Sequence, residues 1–179
     1  PNMFGPQAIY PVQTTINNSA ELTFLWKYDQ KFDFKEPVVV VNDMAGKQLT
    51  SKKISPQSGR LNASFAELKL SAGKKYSWNF ASNEKGKITA KSGRLNFTVI
   101  SPADKQRLDA DVAKVRALNM SEDGKKFLIA QLYYRQQMLD AMVRELLPLW
   151  ETNRTEAVKK LLNYGYLRMG QTEEAKKYQ

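Results

Sequence analysis

Near residue 100 the spacing of apolar residues changes from every second position to every third or fourth. A strand presents alternate residues to one face and a helix presents residues three and four apart, so one regular element cannot serve both periods. The chain of 179 residues must therefore hold two kinds of structure in succession. The fold class that follows is α+β, with strands first and helices after. The later half also repeats itself: Leu128, Leu132, Gln136 and Ala141 are matched 34 residues on by Leu162, Tyr166, Gly170 and Ala175.

The first half predicts about seven antiparallel strands. AIYPV (8–12) reads as an edge strand, because Pro11 has no N–H to give to a central ladder. ELTFLWKY puts Leu22, Phe24 and Trp26 on one face. PVVVVNDMAGKQL is a β-branched strand followed by a turn in which Gly46 supplies a positive φ. QLTSKKI returns as a polar strand, and GRLNASF and LKL are shorter candidates. AGKKYSWNFAS alternates Tyr76, Trp78 and Phe80 inward against Lys75, Ser77 and Asn79 outward, NEKGK is a hairpin turn, and KSGRLNFTVI closes the set with Leu95, Phe97 and Val99 on one face. Strands of this number and spacing predict an immunoglobulin-like or fibronectin-type-III-like sandwich over residues 1–101.

Ser101-Pro102 opens the helical half over 102–179, with a capping hydroxyl followed by proline at the first helical position. A helix over 102–118 places Leu108, Val112, Val115 and Leu118 on one face. A second starts at Ser121 and turns Phe127, Ile129, Leu132 and Tyr133 inward. A third runs from Leu139 to Trp150 and a fourth from Thr155 to Arg168, which Gly170 ends; Thr172–Gln179 begins a fifth.

The segment LLNYGYLRMGQTEEA (161–175) resembles the core of a tetratricopeptide unit, and LIAQLYYRQQMLDAM resembles it with Gln136 in place of the usual glycine. The resemblance implies a helical hairpin module of four to five helices. About one and a half units are covered, where such solenoids need about three to stand alone. LTFLWKY, VVVVNDMAGKQL, LSAGKKYSWNF and LYYRQQMLDAMVRELLPLW together resemble an uncharacterised bacterial cell-envelope family, which implies export and a non-enzymatic role.

Composition limits the chemistry. The chain has no cysteine and no histidine, which rules out disulfides, thiolate nucleophiles, Cys/His zinc sites and imidazole bases. Phosphate-binding glycine loops and nucleophile elbows are missing, and NDMAG lacks the alternating acids of a calcium loop. No cofactor and no catalytic residue is expected. Asp29 with Asp33, and Asp109 with Asp111, are the carboxylate pairs to check; two residues apart on a helix, the second pair diverges. No apolar run reaches the ~20 residues that span a bilayer as a helix. The chain starts at Pro1 rather than Met, which reads as a mature form or a piece of something longer. An exported location, periplasmic or at the cell surface, is expected, although absent cysteine suits a cytoplasmic protein as well.

Two surfaces offer themselves to partners. Tyr133, Tyr134, Trp150, Tyr164 and Tyr166 cannot all share one buried helical face, so some are expected in a helical groove or against the sandwich; Tyr133, Tyr134, Arg135, Tyr166 and Arg168 are the residues expected to dock a protein partner. The net charge is +10, of which +7 falls in residues 1–100. That excess makes Lys27, Lys52, Lys53, Lys74 and Lys75 candidates for an anionic polymer, whether polysaccharide, lipid or nucleic acid. A third possibility is a subunit of a homo- or hetero-oligomer, with an exposed strand such as KQLTSKKI, or the incomplete last helix, completed by a neighbour. Five Asn-x-Ser/Thr triplets, at Asn17, Asn62, Asn96, Asn119 and Asn153, exceed the roughly one expected by chance from 11 Asn and 20 Ser/Thr.

Overall fold

The computed structural model describes residues 7–27 and 34–179. They form two compact units, one taking in the chain up to Gln13 together with Asn18–Val99, the other Thr14–Asn17 together with Ile100–Gln179. The strands are β1 (Gln7–Tyr10), β2 (Thr14–Ile16), β3 (Glu21–Lys27), β4 (Pro37–Asp43), β5 (Gln48–Lys53), β6 (Arg60–Ser64), β7 (Lys75–Glu84), β8 (Lys87–Lys91) and β9 (Leu95–Val99). The helices are α1 (Phe65–Leu68), α2 (Pro102–Arg116), α3 (Glu122–Arg135), α4 (Leu139–Thr152), α5 (Glu156–Arg168) and α6 (Thr172–Lys176).

In the first unit β3 lies between β1 and β6 in one antiparallel sheet. In the other, β7 has β4 on one side and takes β9 and β8 in succession along its opposite side, while β5 lies outside β4. Aromatic side chains join the two sheets: Phe24 meets Trp78 edge-on at 5.0 Å and Trp26 meets Phe80 at 5.7 Å. Both buried indoles are satisfied by backbone, Trp78 Nε1 donating to the Pro11 carbonyl at 2.6 Å and Trp26 Nε1 to the Pro56 carbonyl at 2.9 Å. An unmet buried donor would cost about 1–3 kcal/mol. Two antiparallel sheets closed over such a core make an immunoglobulin-like sandwich.

Three details differ from the sequence reading. Ser77 and Asn79 are buried along with the aromatics of β7, and the Asn79 amide oxygen accepts from Asn42 Nδ2 at 3.0 Å. The central strands β4 and β7 are thus covered on both faces, which alternation alone does not reveal. LKL is not a strand. Ser64 and Glu67 form a capping box that starts the short helix α1, with Leu68 buried at its end. KSGRLNFTVI is split into β8 and β9 at Ser92–Arg94, where Ser92 takes over Phe80, its N–H donating to the Phe80 carbonyl at 2.8 Å and its Oγ accepting from Phe80 N at 2.9 Å.

The second unit consists of helical hairpins. α3 and α5 begin at Glu122 and Glu156, each capped by a hydroxyl, Ser121 accepting from Gly124 N and Thr155 from Val158 N. The α3–α4 turn is made by Gln137 at φ 56° and the α5–α6 turn by Gly170 at φ 72°. The helix starts are 34 residues apart and these turns 33, because α3 has 14 residues and α5 has 13. Gly170 therefore corresponds to Gln137 rather than Gln136. Leu139, Met142, Leu146, Leu149, Val158 and Leu162 are fully buried. Gly165 lets α5 approach α4, since a Cβ there would lie 2.7 Å from Val143 Cγ2. Leu118, expected on the inner face of α2, is 47% exposed just beyond the end of that helix. β2, which the sequence reading did not separate, ties into this unit: the Gln137 carbonyl accepts from Thr15 N at 3.0 Å and Thr14 Oγ1 at 2.8 Å.

Candidate functional site

The five residues expected to dock a partner divide between surface and interior. Tyr133 packs among Ile100, Leu108, Met138, Val112 and Leu132; burial first, and the nearby Glu145 carboxylate second, push its phenol pKa up. Tyr166 is buried and stacked on Tyr178 at 5.7 Å, and burial raises its pKa too. Tyr166 belongs to the core and Tyr133 lies half-buried against it, because helical spacing turns both toward neighbouring helices. Arg135 is exposed, but one residue from Tyr134 on a helix is about 100° around the axis.

Tyr134 and Arg168 do come together, through two residues that were not among the expected contacts. Tyr134, at the end of α3, is 38% exposed and meets Tyr164 of α5 edge-on at 5.3 Å. Arg168, one turn beyond Tyr164, sets its guanidinium 6.0 Å from that ring. Gln137 fixes the pair: its Nε2 donates to the Tyr134 carbonyl at 2.9 Å and its Oε1 accepts from Tyr164 OH at 3.2 Å. Leu167 stands 49% exposed beside them on α5. The i, i+4 spacing of Tyr164 and Arg168 was the available signal; the part of Gln137 follows from its left-handed backbone and had none. The arrangement presents a held aromatic surface with a cation at its edge.

The lysines expected to bind a polymer do not converge. Lys27 ends β3 in the three-stranded sheet, while Lys52 and Lys53 stand on β5 opposite Val39 and Val38. Lys74 and Lys75 lie at the start of β7, six residues along that strand from Ala81, the partner of Val38; six strand residues span about 20 Å. Lys52 is engaged by Glu67 at 2.7 Å. Hydrogen bonds from Lys52 and then from Ser64 hold the Glu67 carboxyl at about 2.

Asp29 and Asp33 lie outside the described residues. Asp109 is exposed and paired with Lys105, and Asp111 is exposed. Among the described residues no group of three or more metal-ligating side chains forms, and no helix is long and apolar enough to cross a membrane. All five Asn-x-Ser/Thr asparagines are exposed. In three of the triplets the hydroxyl is a helix cap, at Ser64, Ser121 and Thr155, so capping accounts for much of their excess.

No protein-family model and no curated protein sequence matches the chain. Among solved structures, the FN1–FN3 domains of chicken CNTN1 are similar at 12% identity and a TM-score of 0.36, over 55% of this chain and 34% of that one. The BSP domain of a biofilm-associated protein matches at 17% identity and a TM-score of 0.31, over 55% of this chain and 14% of its own. A β-1,2-glucanase from Parabacteroides distasonis matches at 11% identity and a TM-score of 0.33, over 98% of this chain and 34% of the enzyme. The chain thus spans about a third or less of each. Likenesses this distant carry no argument about activity.

Proposed function

We propose that this chain is a non-enzymatic docking module of a bacterial cell envelope, whose helical unit, tetratricopeptide-like, binds a partner protein through Tyr134, Tyr164, Leu167 and Arg168. The single observation that carries the reading is exposed Tyr134 set against half-buried Tyr164, braced by Gln137 and edged by Arg168. A rigid aromatic pair buries apolar area with little ordering cost, and a neighbouring guanidinium can orient a partner carboxylate; aromatic and arginine side chains dominate binding energy at protein interfaces. The likeness to tetratricopeptide hairpins is supported by the hydroxyl-capped helices that start 34 residues apart and by their matching turns. The envelope location rests on the pattern-level resemblance of the sequence alone. Binding of an anionic polymer is the weaker reading, because its lysines are spread over two sheets.

The test is capture from an envelope extract, eluted with rising salt and then detergent, with the wild-type chain beside Tyr134→Ala and Arg168→Ala. The expected result is one stoichiometric protein that survives high salt and binds each variant more weakly, by about 1–2 kcal/mol. Release of polysaccharide, lipid or nucleic acid at modest salt, unchanged in the variants, would transfer the role to the basic sandwich.

A further inference from the structure

A second surface lies in the other unit, on the strand that ends the larger sheet. Among the described residues β5 is paired on one side only, with β4. The ladder fixes which of its backbone groups remain. Ile54 N donates to the Pro37 carbonyl at 3.1 Å, and in an antiparallel pair such bonding positions alternate. Ile54, Lys52 and Thr50 therefore face β4, whereas Ser51 and Lys53 turn their N–H and C=O groups outward. Beyond them Leu49 is a bulge, since Val41 pairs with Thr50 and Asn42 with Gln48.

Lysines outnumber acids around this edge. Lys47 and Lys53 are exposed, and Lys52 reaches Glu67 from the opposite face of the strand. Glu67 is paired with Lys52, and the Asp43 carboxylate accepts from the Lys47 N–H at 2.8 Å. A bulge and lysines are what keep an edge from pairing indiscriminately. They would also set two copies of this strand against each other, lysine against lysine. An extended segment carrying acids meets no such barrier.

We infer that β5 is an acceptor edge for strand addition by an acidic extended segment of another protein, which pairs with the outward backbone of Ser51 and Lys53 and sets its carboxylates against the exposed Lys47 and Lys53. This goes beyond the helical docking face and does not depend on it. Backbone pairing supplies the geometry and the lysines select the occupant.

The experiment is fluorescence anisotropy on the full chain, with a capped octapeptide alternating glutamate and valine, its glutamine counterpart, and a version N-methylated at alternate positions. Ser51→Pro removes an outward donor and leaves the β4 ladder its bonds; Lys53→Glu reverses the edge charge, and circular dichroism checks both folds. The expected result is binding of the glutamate peptide that weakens about tenfold with glutamine, with N-methylation and with either variant, while Tyr134→Ala leaves it unchanged. The inference is overturned if Ser51→Pro and N-methylation have no effect, if the glutamine peptide binds equally, or if neither peptide binds. It also fails if binding is lost in Tyr134→Ala instead, or if sedimentation finds a dimer that Ser51→Pro dissolves, which would make a second copy the occupant. Failure of either surface leaves the other's test standing, because each responds to its own variants.

Discussion

At the scale of single residues, charge and backbone geometry do work that residue type alone does not announce. Glu67 looks like one of many surface acids. As the reciprocal partner of Ser64 in a capping box and the ion-pair partner of Lys52, its carboxyl is held at about 2 against an ordinary 4.5. A carboxyl whose folded pKa is depressed contributes stability that is complete above its unfolded pKa and is lost as pH falls through the folded one. The acid limb of the stability curve between those two values should therefore flatten in Glu67→Gln, measured by urea melts at a series of pH values. An unchanged acid limb would mean that the box and ion pair are not held in solution. Gln137 shows the same dependence on context: a residue with no special propensity takes φ 56°, and its carbonyl, amide and backbone then join β2, Tyr134 and Tyr164.

At the scale of elements, the alternation of Leu22, Phe24 and Trp26 and of Tyr76, Trp78 and Phe80 was enough to place β3 and β7, and helical periodicity placed α2 to α5 within a few residues. Capping was legible at Ser101, Ser121 and Thr155. It was overlooked at Ser64, where S-x-x-E outweighs the apolar LKL. Burial of Ser77 and Asn79 was not legible, because it depends on what covers the outer face of a strand. Helical spacing turned Tyr133 inward, where it packs half-buried, but the burial of Tyr166 against Tyr178 was not legible, since a run of aromatic residues does not say which way the helix is turned. The α4–α5 crossing supplies a test. Gly165→Ala gains about 1 kcal/mol of helix propensity, but its Cβ would lie 2.7 Å from Val143 Cγ2 and 2.8 Å from Met142 Cε. Methionine can yield and the stiff β-branched valine cannot, and overpacking costs about 1–3 kcal/mol. Net destabilisation of about 1 kcal/mol is expected, relieved in Gly165→Ala with Val143→Ala. A more stable Gly165→Ala variant would show that the helices can separate at no cost.

For the whole molecule, the two proposed surfaces fall one in each compact unit: a braced aromatic face in the helical unit, and a lysine-flanked strand edge in the sandwich. Most of the net charge of +10 falls in the sandwich, but its candidate lysines stand on two sheets rather than in one basic stripe, which is why the proposal is protein docking rather than polymer binding. The measurement that tests this most directly is site-specific photo-crosslinking in envelope extract, with a benzophenone amino acid at position 134 and, as controls, at the buried position of Tyr166 and at exposed Met44 of the sandwich. One discrete adduct of defined mass is expected from position 134 and none from the controls. No adduct at 134, or the same adduct from Met44, would contradict docking through this face.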